Sequence, residues 1–197
     1  MWSLREMVRR IVVGPLQTNC YIVADERSNE GVIIDPGDEA YRLERTLYEL
    51  GIKPLYILIT HGHFDHTGAA QELRYRLGLP IGMHPMDTRL VDFEPDIFLK
   101  EGDPLRVGRY PIEVLHCPGH SPGSIAFYLP GAVFCGDVLF MGSVGRTDFP
   151  GGSHSRLISS IREKILPLGD QVRVYPGHGP STTVGNERRS NPFLLGL

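Results

Sequence analysis

Residues 55–66 read Leu55-Tyr56-Ile57-Leu58-Ile59-Thr60-His61-Gly62-His63-Phe64-Asp65-His66, a continuous apolar run that ends in four potential metal ligands within six residues. The run, bounded by Pro54 and Thr60, predicts a strand buried on both faces, since apolar side chains on every residue leave no face for water. The polar cluster that follows therefore sits at a strand end. Three imidazoles and a carboxylate crowded together fit poorly in an apolar core, whereas neutral His and ionised Asp are the usual ligands of zinc or a similar first-row ion. Gly62 lets the loop turn sharply, so His61 and His63 can face one ion while Asp65 and His66 face a neighbour.

Working outward, short β-rich runs alternate with helical patterns. Met7 to Val13, Tyr21 to Ala24 and Val32 to Ile34 read as strands, the first two joined through Gly14-Pro15 and the third stopped by Asp35-Pro36-Gly37. Asp38 is a fitting cap for a helix with an apolar stripe at Ala40, Leu43, Leu47 and Leu50, closed by Gly51. A second helix is predicted from about His66 to Leu77, then a short strand near Ile81. Further strands are expected at Arg106 to Val107, Ile112 to Leu115, Ile125 to Leu129, Val133 to Cys135 and Val172 to Tyr175. Ser153 and Thr183 read as caps of two later helices. Two mixed sheets packed face to face, with helices on the outer faces, would bury both the apolar strands and the amphipathic helices. With 197 residues, 41% of them hydrophobic, and no long linker, one domain over residues 1–197 is the expectation.

Three later residues resemble the first cluster in setting. His120 lies between Pro118-Gly119 and Ser121-Pro122-Gly123, Asp137 follows a strand at Gly136, and His178 follows Pro176-Gly177. Together they bring the candidate ligands to seven, enough for two ions with one carboxylate left to bridge. Two divalent ions against two carboxylates and a hydroxide leave about one positive charge, suited to an anionic transition state. Gly119-His120-Ser121-Pro122-Gly123 also matches the serine-hydrolase pattern Gly-x-Ser-x-Gly. That motif needs the backbone N–H after the serine, and Pro122 has none, so a serine nucleophile is not expected.

His61-x-His63-x-Asp65-His66 followed by His120, Asp137 and His178 resembles the metallo-beta-lactamase superfamily, and the resemblance runs from about Arg10 to Leu194. The stretches HCPGHSPGS, CGDVLFMGSVGRTDFPGGS and YPGHGPSTT are similar to the compact branch like glyoxalase II, the hydroxyacylglutathione hydrolases. The resemblance implies an α/β fold, an αββα sandwich with metals at one edge of the two sheets. It assigns His61, His63 and His120 to a first metal, Asp65, His66 and His178 to a second, and Asp137 to both. The family's common lactamases use a cysteine at the second site, and Cys20, Cys117 and Cys135 lie elsewhere, which disfavours antibiotic hydrolysis. Full-length glyoxalase II enzymes carry a further helical domain and a lysine and tyrosine that contact glutathione. Here the chain ends about 19 residues after His178, and the loop Gly145-Arg146-Thr147-Asp148-Phe149 has Arg and Asp at those two positions. Arg146 and Phe149 are the candidate substrate-binding residues, with an ion pair between Arg146 and Asp148 as the plainer alternative.

The function expected is metal-dependent hydrolysis of a small acyl thioester by a metal-bridging hydroxide. Asp65 and Asp137 are the catalytic carboxylates, and the cofactor is two divalent ions, foremost Zn, with Fe or Mn as alternatives. A thiolate of conjugate-acid pKa around 8.5 leaves without a general acid, which suits a site with no proton donor beside the ligands. The rivals are a mononuclear iron persulfide dioxygenase, using an open set such as His61, His120 and Asp137, and a non-catalytic metal-binding protein. A net charge of −3 argues against nucleic acid or an anionic membrane as partner. No apolar run reaches membrane length, the N-terminus lacks the pattern of a signal peptide, and the three widely spaced cysteines read as buried free thiols. The expected setting is cytoplasmic.

Overall fold

The strand that ends in the histidine cluster is the fourth of six in a mixed sheet. The computed structural model describes residues 8–195, so Met7, expected to open the first strand, lies outside the described residues. The first half runs β1 (Val8–Val13), β2 (Thr18–Asp25), β3 (Glu30–Ile34), α1 (Ala40–Leu50), β4 (Lys53–Leu58), α2 (Phe64–Thr67), α3 (Ala70–Leu77), β5 (Ile81–Met83) and, after a 3₁₀ turn at Pro85–Leu90, β6 (Ile97–Phe98). The second runs β7 (Pro104–Val107), β8 (Tyr110–His116), β9 (Ile125–Leu129), β10 (Ala132–Gly136), β11 (Leu139–Phe140), β12 (Ser143–Val144), α4 (His154–Ser160), β13 (Arg173–Pro176), β14 (Thr182–Thr183) and α5 (Val184–Ser190). One sheet has the order β1-β2-β3-β4-β5-β6, antiparallel through β3 and parallel from there on. The other has the order β14-β13-β10-β9-β8-β7, parallel only between β10 and β13.

Alternation along the strands sorts the apolar side chains into three layers. Tyr21, Val23, Val32, Ile34 and Leu58 face Ile112, Val114, Ile125, Phe127 and Phe134 between the sheets. The other face of the first sheet, with Ile22, Ile33, Ile57 and Ile81, is covered by Leu43 and Leu47 of α1 and Leu73 of α3. The other face of the second, with Ala126, Val133, Cys135 and Val174, is covered by Leu157 of α4 and by Ile161 and Ile165 beyond it. This is the αββα sandwich expected from sequence. Cys20, Cys117 and Cys135 are buried free thiols.

Two local expectations are corrected. Glu39, at a left-handed φ of 59°, stands immediately before α1, and Asp38 instead accepts the Glu39 N–H at 2.6 Å. The helix expected from His66 to Leu77 is two pieces, because Ala69 donates its N–H to Pro36 O at 2.9 Å rather than into a continuous helical ladder. The break follows from close packing: a side chain on Gly37 would strike Asp65 O, and one on Gly68 would strike Gly37 O. The caps at Ser153 and Thr183 are as expected, accepting Arg156 N–H at 3.4 Å and Asn186 N–H at 3.2 Å.

Candidate metal centre

The seven residues arrive at one edge of the sandwich from four chain segments. His61, His63, Asp65 and His66 follow β4, His120 lies in the connection from β8 to β9, Asp137 follows β10 and His178 follows β13. The edge is stitched across the two sheets by backbone bonds, Asn19 N–H to Gly177 O at 2.7 Å and Ile125 N–H to Thr60 O at 2.8 Å. Gly177 is required where it stands, since a Cβ there would collide with Asp137 Oδ1 and the His66 ring.

Two groups of ligand atoms converge. In the first, His120 Nε2 is 3.2 Å from His61 Nε2 and 3.0 Å from His63 Nδ1. Ligand atoms around a tetrahedral zinc at about 2.0–2.1 Å stand about 3.3 Å from one another, so this spacing matches three ligands aimed at one ion. In the second, Asp65 Oδ2 is 3.5 Å from His66 Nε2 and 3.2 Å from His178 Nε2. Asp137 touches both groups: Oδ2 is 3.7 Å from His120 Nε2 and 3.6 Å from His178 Nε2, and Oδ1 is 3.4 Å from His66 Nε2.

The surroundings fix how each ring presents itself. Asp35 accepts the Thr60 N–H at 2.7 Å, the Thr60 hydroxyl at 2.6 Å and His66 Nδ1–H at 2.9 Å. With its proton given to Asp35, Thr60 Oγ1 is left to accept His61 Nδ1–H at 3.2 Å. His120 Nδ1–H donates to Arg146 O at 2.8 Å. Three rings thus hold one nitrogen as a donor outward and turn Nε2 inward, the arrangement that orients metal ligands. Thr18 donates to Asp65 Oδ2 at 3.0 Å, and Asp87, fully buried, accepts from Gly62 N at 3.0 Å, Ser121 Oγ at 2.6 Å and Gly123 N at 2.6 Å.

Fit to a cation is shown by two buried polar atoms without a hydrogen-bond partner among the described residues, His66 Nε2 and Asp137 Oδ1, which face each other in the second group. The electrostatics agree. Burial, reinforced by the neighbouring rings, lowers the pKa of His61 well below the ordinary value, and burial also lowers His63, which favours neutral imidazole at these two residues. At His66 burial opposes charge, but the Asp137 and Asp35 carboxylates outweigh it and raise the pKa well above the ordinary value. The hydrogen bond to Asp65 raises His178. Burial works against ionised Asp65 and Asp137 as well, yet His178 and His66 hold Asp65 low, and His66 holds Asp137 low. Positive charge is favoured between these carboxylates.

Above the two groups opens a cleft of about 720 Å³ whose lining includes Arg146 and Phe149. Arg146 is paired with Asp148 by two bonds, Nε to Oδ1 at 2.8 Å and Nη2 to Oδ2 at 2.7 Å, and its guanidinium lies 4.0 Å from the centre of the Phe149 ring. Ser121 is buried with its hydroxyl on Asp87, away from the cleft lining. Thr18, Thr60 and Asp87 were not anticipated. Thr60 was readable as the residue joining the strand to the ligand run, whereas Asp87 in the sequence is one acid among many in turns.

The model of the metallo-beta-lactamase superfamily matches residues 13–178. Among curated relatives, the hydroxyacylglutathione hydrolase GloC of Haemophilus influenzae is 44% identical, covering 93% of this chain and 96% of its own length. The mitochondrial persulfide dioxygenase ETHE1 of Mus musculus is 38% identical over 90% of this chain and 71% of its own. The crystal structure of the BLEG-1 B3 metallo-beta-lactamase matches with a TM-score of 0.92 and 39% identity, covering 96% of this chain and all of the other. That of TTHA1623 in a di-iron-bound form matches with a TM-score of 0.86 and 43% identity, covering 95% and 100%.

Proposed function

From the premise that this chain belongs to the metallo-beta-lactamase superfamily, we propose that it is a dinuclear metallohydrolase of small acyl thioesters. The observation that carries the proposal is the pair of ligand groups with the Asp137 carboxylate between them. His61, His63 and His120 would hold one ion, Asp65, His66 and His178 the other, and Asp137 both. Two divalent ions, Zn foremost and Fe or Mn as alternatives, supply Lewis acidity at a carbonyl oxygen and a water of lowered pKa. The chain's own residues do the rest. Asp35, Thr60, Thr18 and the Arg146 carbonyl hold the ligands in the tautomers and orientations a metal needs. Asp65 and Asp137 keep two negative charges beside the imidazoles and set the charge of the loaded site. Phe149, whose ring is 5.3 Å from that of His63, and Arg146 flank the path by which an acyl group reaches the ligands. The departing thiolate, with a conjugate-acid pKa around 8.5, needs no proton from the protein.

The likeness to GloC supports the thioester, and the likeness to the persulfide dioxygenase favours a second reading, a mononuclear iron enzyme using His61, His120 and Asp137. Metal content per chain, followed by rates on lactoyl-glutathione, a persulfide with oxygen uptake, and the β-lactam nitrocefin, separates the readings. Two ions with thioester hydrolysis support the proposal. One iron with oxygen consumption, a β-lactam rate above the rate on every thioester tried, or metal binding with no turnover of these three or of an apolar acyl thioester such as phenylacetyl-N-acetylcysteamine overturns it.

A further inference from the structure

The lining of the cleft points to a substrate class narrower than thioesters in general. Beside the candidate ligands, its walls are Leu16, Phe64, Leu90, Phe140, Val144 and Phe149, with Ser143 and Arg146 as the non-ligand polar side chains. Several stay open to solvent: Phe64 is 72% exposed, Leu16 51%, and Leu90 and Phe149 42% each. Apolar side chains gathered around a concave polar floor mark a surface that gains by covering hydrocarbon.

Charge makes the same distinction. Among the described residues lining the cleft, Arg146 is the one Lys or Arg, and the Nε–Nη2 edge of its guanidinium is taken by Asp148 while its face lies over Phe149. Its charge is thus matched by a carboxylate at the rim. A smaller cavity of about 300 Å³ shares Leu16, Phe64 and Asp65 with the cleft and adds Asp38, another carboxylate. A thiol such as glutathione brings two carboxylates of its own. Around this cleft they meet hydrocarbon, the carboxylates of Asp38 and Asp148, and one arginine already paired with Asp148, and a carboxylate set against the hydrocarbon keeps its solvation cost.

Resting on the hydrolase reading above, the geometry points to thioesters whose acyl and thiol arms are apolar and uncharged as the preferred substrates, with Phe64 and Phe149 as the specificity-determining side chains. Water adds across the thioester carbonyl, the C–S bond breaks, and the products are a carboxylic acid and a neutral, apolar thiol.

The test uses the full chain loaded with metal, its occupancy measured. The value of kcat/KM for phenylacetyl-N-acetylcysteamine is expected to exceed that for lactoyl-glutathione at least tenfold, and Phe149→Ala and Phe64→Ala are expected to lower that ratio at parent metal content. Parity, or preference for lactoyl-glutathione, overturns the inference. Calorimetric binding of 4-phenylbutyrate and of lactate to the same protein reads the cleft without turnover. Phenylbutyrate is expected to bind at least tenfold tighter, with the advantage reduced by Phe149→Ala, and equal affinities overturn the inference. If neither thioester is hydrolysed while phenylbutyrate keeps its advantage, the hydrolase reading fails and the apolar character of the cleft stands.

Discussion

Asp87→Asn removes one charge from a place where three donors converge, and its cost follows from counting them. Asp87 lies under the two loops that carry the first ligand group, accepting Gly62 N–H between His61 and His63, and Ser121 Oγ–H and Gly123 N–H just after His120. An asparagine has one carbonyl oxygen and an NH₂ in place of two acceptors. If its oxygen faces Gly123, the NH₂ opposes the Gly62 N–H; if it is flipped, the NH₂ opposes the Gly123 N–H. Ser121 can turn its hydroxyl to accept, but a backbone N–H cannot. One buried donor is stranded in either case, at about 1–3 kcal/mol, and the surviving bonds lose their charge assistance, about 1 kcal/mol more. Urea unfolding of the metal-free protein is therefore expected to show a loss of about 2–4 kcal/mol. Metal affinity of the folded variant, measured by chelator competition, is expected to fall about 10–100-fold, as when other groups orienting ligands are removed. A variant with parental stability and parental affinity would refute the idea that Asp87 clasps the two loops.

The remaining expectations concern the metals, the decoy serine and pH. Asp137→Ala is expected to lose metal and nearly all activity, while Arg146→Ala keeps its metals; elemental analysis of both variants checks this, and metal loss from the second alone would break the division between centre and cleft wall. Ser121→Ala is expected to stay within a few-fold of the parent rate, because its hydroxyl is spent on Asp87; a drop of ~10⁴-fold with both metals retained would reassign the nucleophile to the serine. Metal binding is expected to tighten as pH rises from 6 to 8 and to release protons, because the pKa values of His66 and His178 are raised by their carboxylates and a cation must displace those protons; calorimetry in two buffers of different ionisation enthalpy reads the protons released. At His84, burial, followed by the neighbouring His116 ring stacked at 4.3 Å, lowers the pKa to about 4. The unfolded chain therefore binds the extra proton first, and about 1–2 kcal/mol of stability, present above pH 6.5, is expected to drain away as pH falls toward 4. Urea unfolding of metal-free parent and His84→Gln across that range should show the shallower slope in the variant.

What the sequence disclosed of the fold was what periodicity can carry. β4, β9, β10 and the stripe of α1 announce themselves because several successive side chains obey one burial rule. Strands such as β6, β11, β12 and β14 have two residues each, too few to hold a period, and exist because a neighbouring strand or hairpin offers them a ladder. The break between α2 and α3 was hidden for a related reason. Nothing in Thr67-Gly68-Ala69 forbids a helix; the backbone of Pro36 and Gly37, some thirty residues earlier, competes for Ala69 N–H and fills the space beside Gly68.

The site was more legible than the fold because its chemistry is concentrated in residue types that a core does not tolerate in clusters. Four side chains able to bind a metal within six residues have few structural explanations, and His120, Asp137 and His178 become readable as candidates once that first cluster needs partners. The groups that aim those ligands carry no such signature. Asp35, before Pro36-Gly37, reads in sequence equally as a group that steadies the ligand rings and as a plain turn residue, whereas the part of Thr60 emerges only where its hydroxyl passes its proton to Asp35 and takes that of His61. The same relay explains why the two ligand groups differ. His61, without a carboxylate hydrogen-bonded to its ring, is held neutral by burial, whereas His66, in direct contact with Asp35 and facing Asp137, is drawn toward the charged form. A cation meeting His61 and His63 finds lone pairs ready, and one meeting His66 and His178 must displace protons. The second group is therefore the one whose affinity is expected to fall first as the medium becomes acidic.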